Sequence, residues 1–178
     1  MPIGRRSFLV GSVGAAAAVL GAGRSVAAIA TPAHRLSFYH IHTGEKLTVT
    51  YREHGVLIPQ ALTEINRYLR DFRNEQIHDI DVALLDSLHE LYTTFDGRGN
   101  FEIISGYRSP QTNAALRHAT SGVAEHSLHI EGRAVDVRLT SANTAALRDA
   151  ALALRAGGVG YYPKSNFVHV DTGTVRTW

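Results

Sequence analysis

Two short stretches, RAVDVRL (133–139) and NFVHVDT (166–172), constrain the fold of this chain more than any other part of it. Both alternate aliphatic and ionisable residues, and successive side chains of a strand point to opposite faces of a sheet. Val135, Val137 and Leu139 share one face, with Ala134, Asp136 and Arg138 on the other. Val168 and Val170 likewise oppose Phe167, His169 and Asp171. Each stretch is therefore expected to be a strand with one face in a core and one face carrying ionisable groups. If the two strands lie side by side, Asp136 and His169 can converge. His129, just before a turn at Gly132, can fold over the same point.

The remaining elements follow from periodicity and caps. HRLSFYHI (34–41) and EKLTVTY (45–51), joined through HTGE, read as a β-hairpin. Residues 60–73 and 81–95 place leucines, Ile65, Phe72 and Tyr92 at helical spacing. FEIISGY (101–107) reads as a strand, and Ser109-Pro110 opens a short helix through Arg117. A helix over about 142–156 stops at Gly157-Gly158, and strands near 158–162 and 167–171 complete the pattern. Strands and helices without regular βαβ alternation imply an α+β domain, with a mostly antiparallel sheet and flanking helices.

The first thirty residues read differently. Arg5-Arg6 precede Ser7-Phe8-Leu9, a Gly- and Ala-rich apolar run, and Ala28-Ile29-Ala30 as a cleavage site. This is the pattern of a twin-arginine secretory signal over 1–30, with a mature domain over 31–178 and a periplasmic destination. A membrane anchor is the competing reading, but the run is weakly hydrophobic and Arg24 interrupts it. No stable membrane insertion is expected after cleavage.

Charge and cysteine content narrow the function. The whole chain carries 18 basic and 16 acidic residues, and three of the basic ones are Arg5, Arg6 and Arg24. The mature domain is thus close to neutral, which offers no electrostatic footprint for nucleic acid. There is no cysteine, so an exported domain must fold by its core or with a metal, without disulfides. Oligomeric state is not legible.

Two imidazoles and one carboxylate, with water in a fourth position, have the composition of a catalytic zinc site. Oxygen-only metals would want more carboxylates, and softer ones would want thiolates. Equally, these can be partly exposed polar residues on a half-buried sheet, since ten histidines make chance clusters easy. His126 and His129 form an HxxH pair, of which His129 is the preferred ligand and His126 a pocket residue or supporting partner.

SGYRSPQTN (105–113), SLHIEGRAVDVR (127–138), GGVGYYPKSNFVHVDTG (157–173) and VRTW (175–178) resemble the YcbK-like, or murein endopeptidase K-like, zinc peptidases. These are relatives of the D-Ala-D-Ala carboxypeptidases within the lysostaphin-like set. The resemblance runs from about Arg35 to Trp178. It implies a hedgehog/D-Ala-D-Ala peptidase-like fold, with Zn2+ on His129, Asp136 and His169. It also implies that Arg108 lies over the reacting carbonyl or a substrate carboxylate, while Ser127 hydrogen-bonds at the site.

The sequence departs from some carboxypeptidase relatives at Asn166, where they carry a general-base glutamate three residues before the last histidine. The base must then come from elsewhere. Asp171 is the first candidate and His126 the second, with Glu125 and Glu131 behind them, although Asp171 can instead only orient a ligand. The implied activity is hydrolysis of peptide cross-links in peptidoglycan, at the bond to meso-diaminopimelate. The alternatives are a D,D- or L,D-carboxypeptidase trimming stem peptides, or a non-catalytic zinc-containing cell-wall binding module of the kind the hedgehog fold permits.

Overall fold

A computed structural model describes residue 1, residues 32–119 and residues 124–178. The secretory signal expected over 1–30 lies, apart from its first residue, outside the described residues. Among the described residues, eight strands and four α-helices form one α+β unit around a single hydrophobic cluster. Among the described residues, no helix is long and apolar enough to cross a membrane.

The chain begins with strands β1 (His34–His40), β2 (Lys46–Glu53) and β3 (Val56–Leu57). Helices α1 (Pro59–Tyr68) and α2 (Val82–Thr94) precede strand β4 (Phe101–Ser105) and helix α3 (Pro110–Ala119). A short 3-10 turn, Leu128–Glu131, leads into β5 (Ala134–Leu139). Helix α4 (Thr144–Leu154) and strands β6 (Gly158–Tyr162), β7 (Phe167–Asp171) and β8 (Arg176–Thr177) complete the unit. The sheet order is β3-β2-β1-β4-β5-β7-β6-β8. Among the described strands, the β1–β4 and β6–β8 pairs are parallel and the others antiparallel.

Local chemistry explains the helix starts. The Asp81 carboxylate accepts from the Ala83 N–H at 2.9 Å, and the Asn143 side chain accepts from the Ala146 N–H at 2.8 Å. Each satisfies a backbone donor that the first helical turn leaves free. Helices α2 and α4 touch each other and pack on the sheet. Val135, Val137, Leu139, Val168 and Val170 all lie in the core cluster.

Several boundaries differ from the sequence reading. Helix α1 stops at Tyr68, although the apolar spacing continues to Phe72. The chain turns there because Asp71 is fully buried and anchors two loops, accepting from Ser109 N–H at 2.9 Å and Arg73 N–H at 3.2 Å. Helix α4 ends before the glycine pair, with Arg155 in the left-handed region at φ 53°. Strands β3 and β8 are too short to carry a periodic signal, and tertiary pairing alone creates them.

His40, 1 % exposed at the end of β1, packs edge-on against Tyr68 and Phe72. Burial, reinforced by the nearby His42, Arg70 and Arg73 and opposed by Glu45, pulls its pKa down to about 4. An unfolded histidine titrates near 6.5, so between these values the unfolded chain binds more protons than the native one. Stability is therefore expected to be constant above about pH 6.5 and to fall by about 1–3 kcal/mol toward pH 4 from this residue. Urea midpoints at about pH 7.5 and about pH 5 should converge in His40→Phe relative to the parent. An equal drop in both proteins would assign the acid sensitivity elsewhere.

Candidate metal centre

The register of three strand pairs builds the centre of the site. Ser105 pairs with Asp136, Asp136 with His169, and His169 with Gly160. Residues directly opposite one another on adjacent strands share a face, so this row runs across four strands on one side of the sheet. Asp136 and His169 are neighbours within it, and the His169 Nδ1 lies 2.9 Å from Asp136 Oδ1.

His129 reaches the row from the 3-10 turn. Gly132, at φ +67°, ends that turn in a conformation that a side chain disfavours. The backbone then folds back, and the Arg108 N–H donates to the His129 carbonyl at 3.0 Å. The His129 Nε2 lies 3.2 Å from His169 Nδ1 and 3.4 Å from Asp136 Oδ1. All three side chains are largely withdrawn from solvent, with residue exposures of 3 % for His129, 8 % for Asp136 and 9 % for His169. Their donor atoms lie within 4.8 Å of one another, the spacing of a group that could hold a metal ion.

The outer nitrogen of each imidazole is already committed. His129 Nδ1 donates to the Gly106 carbonyl at 2.8 Å, and a carbonyl can only accept. Gly106 itself allows no side chain, since a Cβ there would sit 2.5 Å from the Leu69 carbonyl. His169 Nε2 donates to Asp171 Oδ2 at 3.1 Å. With both rings neutral, as a metal requires, His129 Nε2 and His169 Nδ1 turn lone pairs toward the Asp136 carboxylate. Three acceptors facing one point repel one another and suit a cation. Two nitrogens and one oxygen, with no thiolate available, match zinc better than an oxygen-only metal.

The electrostatics agree. Burial pushes the Asp136 carboxyl up, but His129 and His169 outweigh it and hold it below the ordinary carboxylate range. Burial pulls His169 down, whereas Asp136 and Asp171 together raise it to about 9. The pocket thus favours positive charge at its centre, whether carried by a proton or by a cation among the donors.

An open cleft of about 690 Å³ lies over the three residues. Arg108 lines it, with Nη1 donating to Asn113 Oδ1 at 3.2 Å and Nη2 3.9 Å from Asp136 Oδ2. Asn113, 3 % exposed, also donates to the Ala124 carbonyl at 3.1 Å, joining α3 to the loop that carries His126. His126 and Ser127 both line the cleft.

The remaining base candidates are not gathered there. Asp171 is fully buried behind His169, away from the cleft lining, and its oxygens are taken up by His169, Gly158 N–H, Gly173 N–H and Arg176. Sharing a strand face with His169 put it on the far side of the ring from His169 Nδ1, held against Nε2. Glu125 pairs with Arg117 at 3.2 Å and Glu131 with Arg133 at 3.1 Å, both near the surface. Asn166 occupies the β6–β7 turn at φ 53° and accepts from the Thr144 hydroxyl at 3.0 Å. Of the base candidates read from the sequence, His126 is the one that faces the cleft.

Sequence reasoning missed Asn113, Tyr162, Arg176 and Trp178. The SGYRSPQTN and VRTW stretches contain three of them, but neither periodicity nor spacing indicates that α3 and β8 return to the cleft.

Residues 28–178 match the protein family described as peptidoglycan L,D-endopeptidase MepK. The chain is 40 % identical over 175 residues to the peptidoglycan L,D-endopeptidase MepK of Escherichia coli K12, covering 98 % of this chain and 96 % of that protein. It is 41 % identical over 155 residues to the probable peptidoglycan L,D-endopeptidase MepK of Haemophilus influenzae, covering 86 % and 83 % respectively. No solved structure matches the chain.

Proposed function

This chain belongs to the family of MepK-type peptidoglycan L,D-endopeptidases, and from that premise we propose that it is a zinc-dependent murein peptidase that opens peptide cross-links. The observation that carries the metal part is the pair of pinned tautomers: Gly106 and Asp171 turn His129 Nε2 and His169 Nδ1 toward Asp136. These three residues would hold the ion. Bound there, zinc would polarise the scissile carbonyl and lower the pKa of water toward roughly 7.

The protein groups around it have separate tasks. Arg108 presents a planar fork of donors to the cleft and is suited to an oxyanion or a peptide carboxylate. Asn113 fixes that fork from behind. His126 accepts the proton of the attacking water and returns it to the leaving amine, the ordinary cycle of a general base and acid. Asp171 orients His169 and takes no proton from substrate. We further propose that the bond cut is one to meso-diaminopimelate, a reading supported by the L,D specificity in the relatives' names. A periplasmic location reached through a twin-arginine signal over 1–30 is part of the same proposal.

Purified mature protein incubated with cross-linked muropeptides and analysed by mass spectrometry tests the reading. The expected result is conversion of dimers into two monomers, abolished by a chelator and restored by zinc. Loss of a single terminal residue from stem peptides would make the protein a carboxypeptidase. Retention of muropeptides without any product would make it a binding module.

A further inference from the structure

The strand β8 and Trp178 return to the site and place an arginine directly behind the His169–Asp171 pair. Arg176 Nη2 donates to Asp171 Oδ2 at 2.7 Å and Nη1 to Oδ1 at 3.2 Å. The two carboxylate oxygens are not held equally. Oδ1 also accepts from Gly158 N–H at 2.9 Å and from Gly173 N–H at 2.8 Å. Oδ2, the oxygen that fixes His169, has Arg176 as its one other hydrogen-bond partner among the described residues.

The fold is shaped to admit this guanidinium. Gly158 pairs with Arg176 in the parallel β6–β8 ladder. A Cβ on Gly158 would lie 2.5 Å from both Arg176 Nη1 and Asp171 Oδ2. Trp178 lies against the guanidinium, its ring centroid 4.9 Å from the Arg176 Cζ. The indole N–H is tied to the Tyr162 hydroxyl at 2.8 Å, and the ring fills the space left by Gly160, where a Cβ would approach to 2.7 Å. The same ring lies 5.2 Å from His169.

We propose that Arg176 is a positioning residue for the metal centre, holding Asp171 Oδ2 where it directs His169 Nδ1 at the ion. The proposal rests on His129, Asp136 and His169 being the metal ligands. Its physical basis is that a fully buried carboxylate that loses its bidentate cation is an uncompensated charge and relaxes away from its site. His169 Nε2 then loses a fixed acceptor, and the imidazole loses its aim. Arg176 also lines the cleft, which makes direct contact with a substrate carboxylate the competing role.

Zinc titration of the mature apoprotein against a competing chelator, together with kcat and KM on a muropeptide, separates the two. Arg176→Met is expected to raise the zinc dissociation constant by about 10- to 100-fold, the usual effect of losing a residue that supports a ligand. Arg176→Lys should recover part of that affinity. Because Arg176 acts through Asp171, the double variant Arg176→Met/Asp171→Asn should bind zinc no worse than Asp171→Asn alone. It removes the buried carboxylate charge together with its partly exposed partner, so it remains informative if Arg176→Met does not fold. Unchanged zinc affinity with a raised KM would overturn the proposal in favour of substrate contact, as would fully additive losses in the double variant. His129→Ala in the same titration keeps the two readings apart. If it leaves zinc binding intact, the ligand assignment fails. If it abolishes binding while Arg176→Met does not weaken it, only the role of Arg176 fails.

Discussion

His129→Ala is expected to take the mature protein from about one zinc per chain to almost none, and to abolish cross-link hydrolysis with it. His129 contributes one of three converging donors, and the two left behind are too few to hold zinc against water. The substitution should not unfold the domain. The Arg108 N–H to His129 carbonyl bond and the Gly132 turn are backbone features that alanine preserves. What it does cost is the acceptor satisfaction of the buried Gly106 carbonyl, about 1–3 kcal/mol. Metal analysis beside a thermal melt checks the prediction. Full zinc occupancy in a folded His129→Ala protein would remove His129 from the ligand set.

Arg108→Met should leave zinc bound and lower turnover by about 100- to 1000-fold, the scale for losing one preorganised donor to a developing oxyanion. The Arg108 side chain is 11 % exposed, burial disfavours its charge, and the nearby Asp136 partly offsets that cost. Its Nε has no acceptor among the described residues. A cation kept in such surroundings, 3.9 Å from a proposed metal ligand, suits a charge that arrives with the substrate. Arg108→Lys keeps the charge but not the fork, so it should recover little of the lost rate. Normal turnover in Arg108→Met would exclude the role. A parallel loss of zinc would instead make Arg108 a support for Asp136.

The parts of the fold that the sequence makes legible are those governed by short-range rules. The alternation in 133–139 and 166–172, the helical spacing of 81–95 and the helix opened by Ser109-Pro110 all have counterparts in the structure. Asp71 shows where such rules stop. The spacing of Leu62, Ile65, Leu69 and Phe72 extends a helix past it, yet its buried bond to Ser109, 38 residues away, turns the chain instead.

The candidate site divides in the same way. Strand period alone put Asp136, His169 and Asp171 on ionisable faces and left open what each does. Only pairing between distant segments set Asp136 opposite His169 in register. That pairing also buried Asp171 behind the imidazole, turned Asn166 toward Thr144, and brought Arg176 alongside Gly158. A side chain's face is decided by its nearest neighbours in the chain. Whether it meets water, a ligand or another charge is decided by what packs against that face. Here the packing partners lie tens of residues away, where periodicity carries no information.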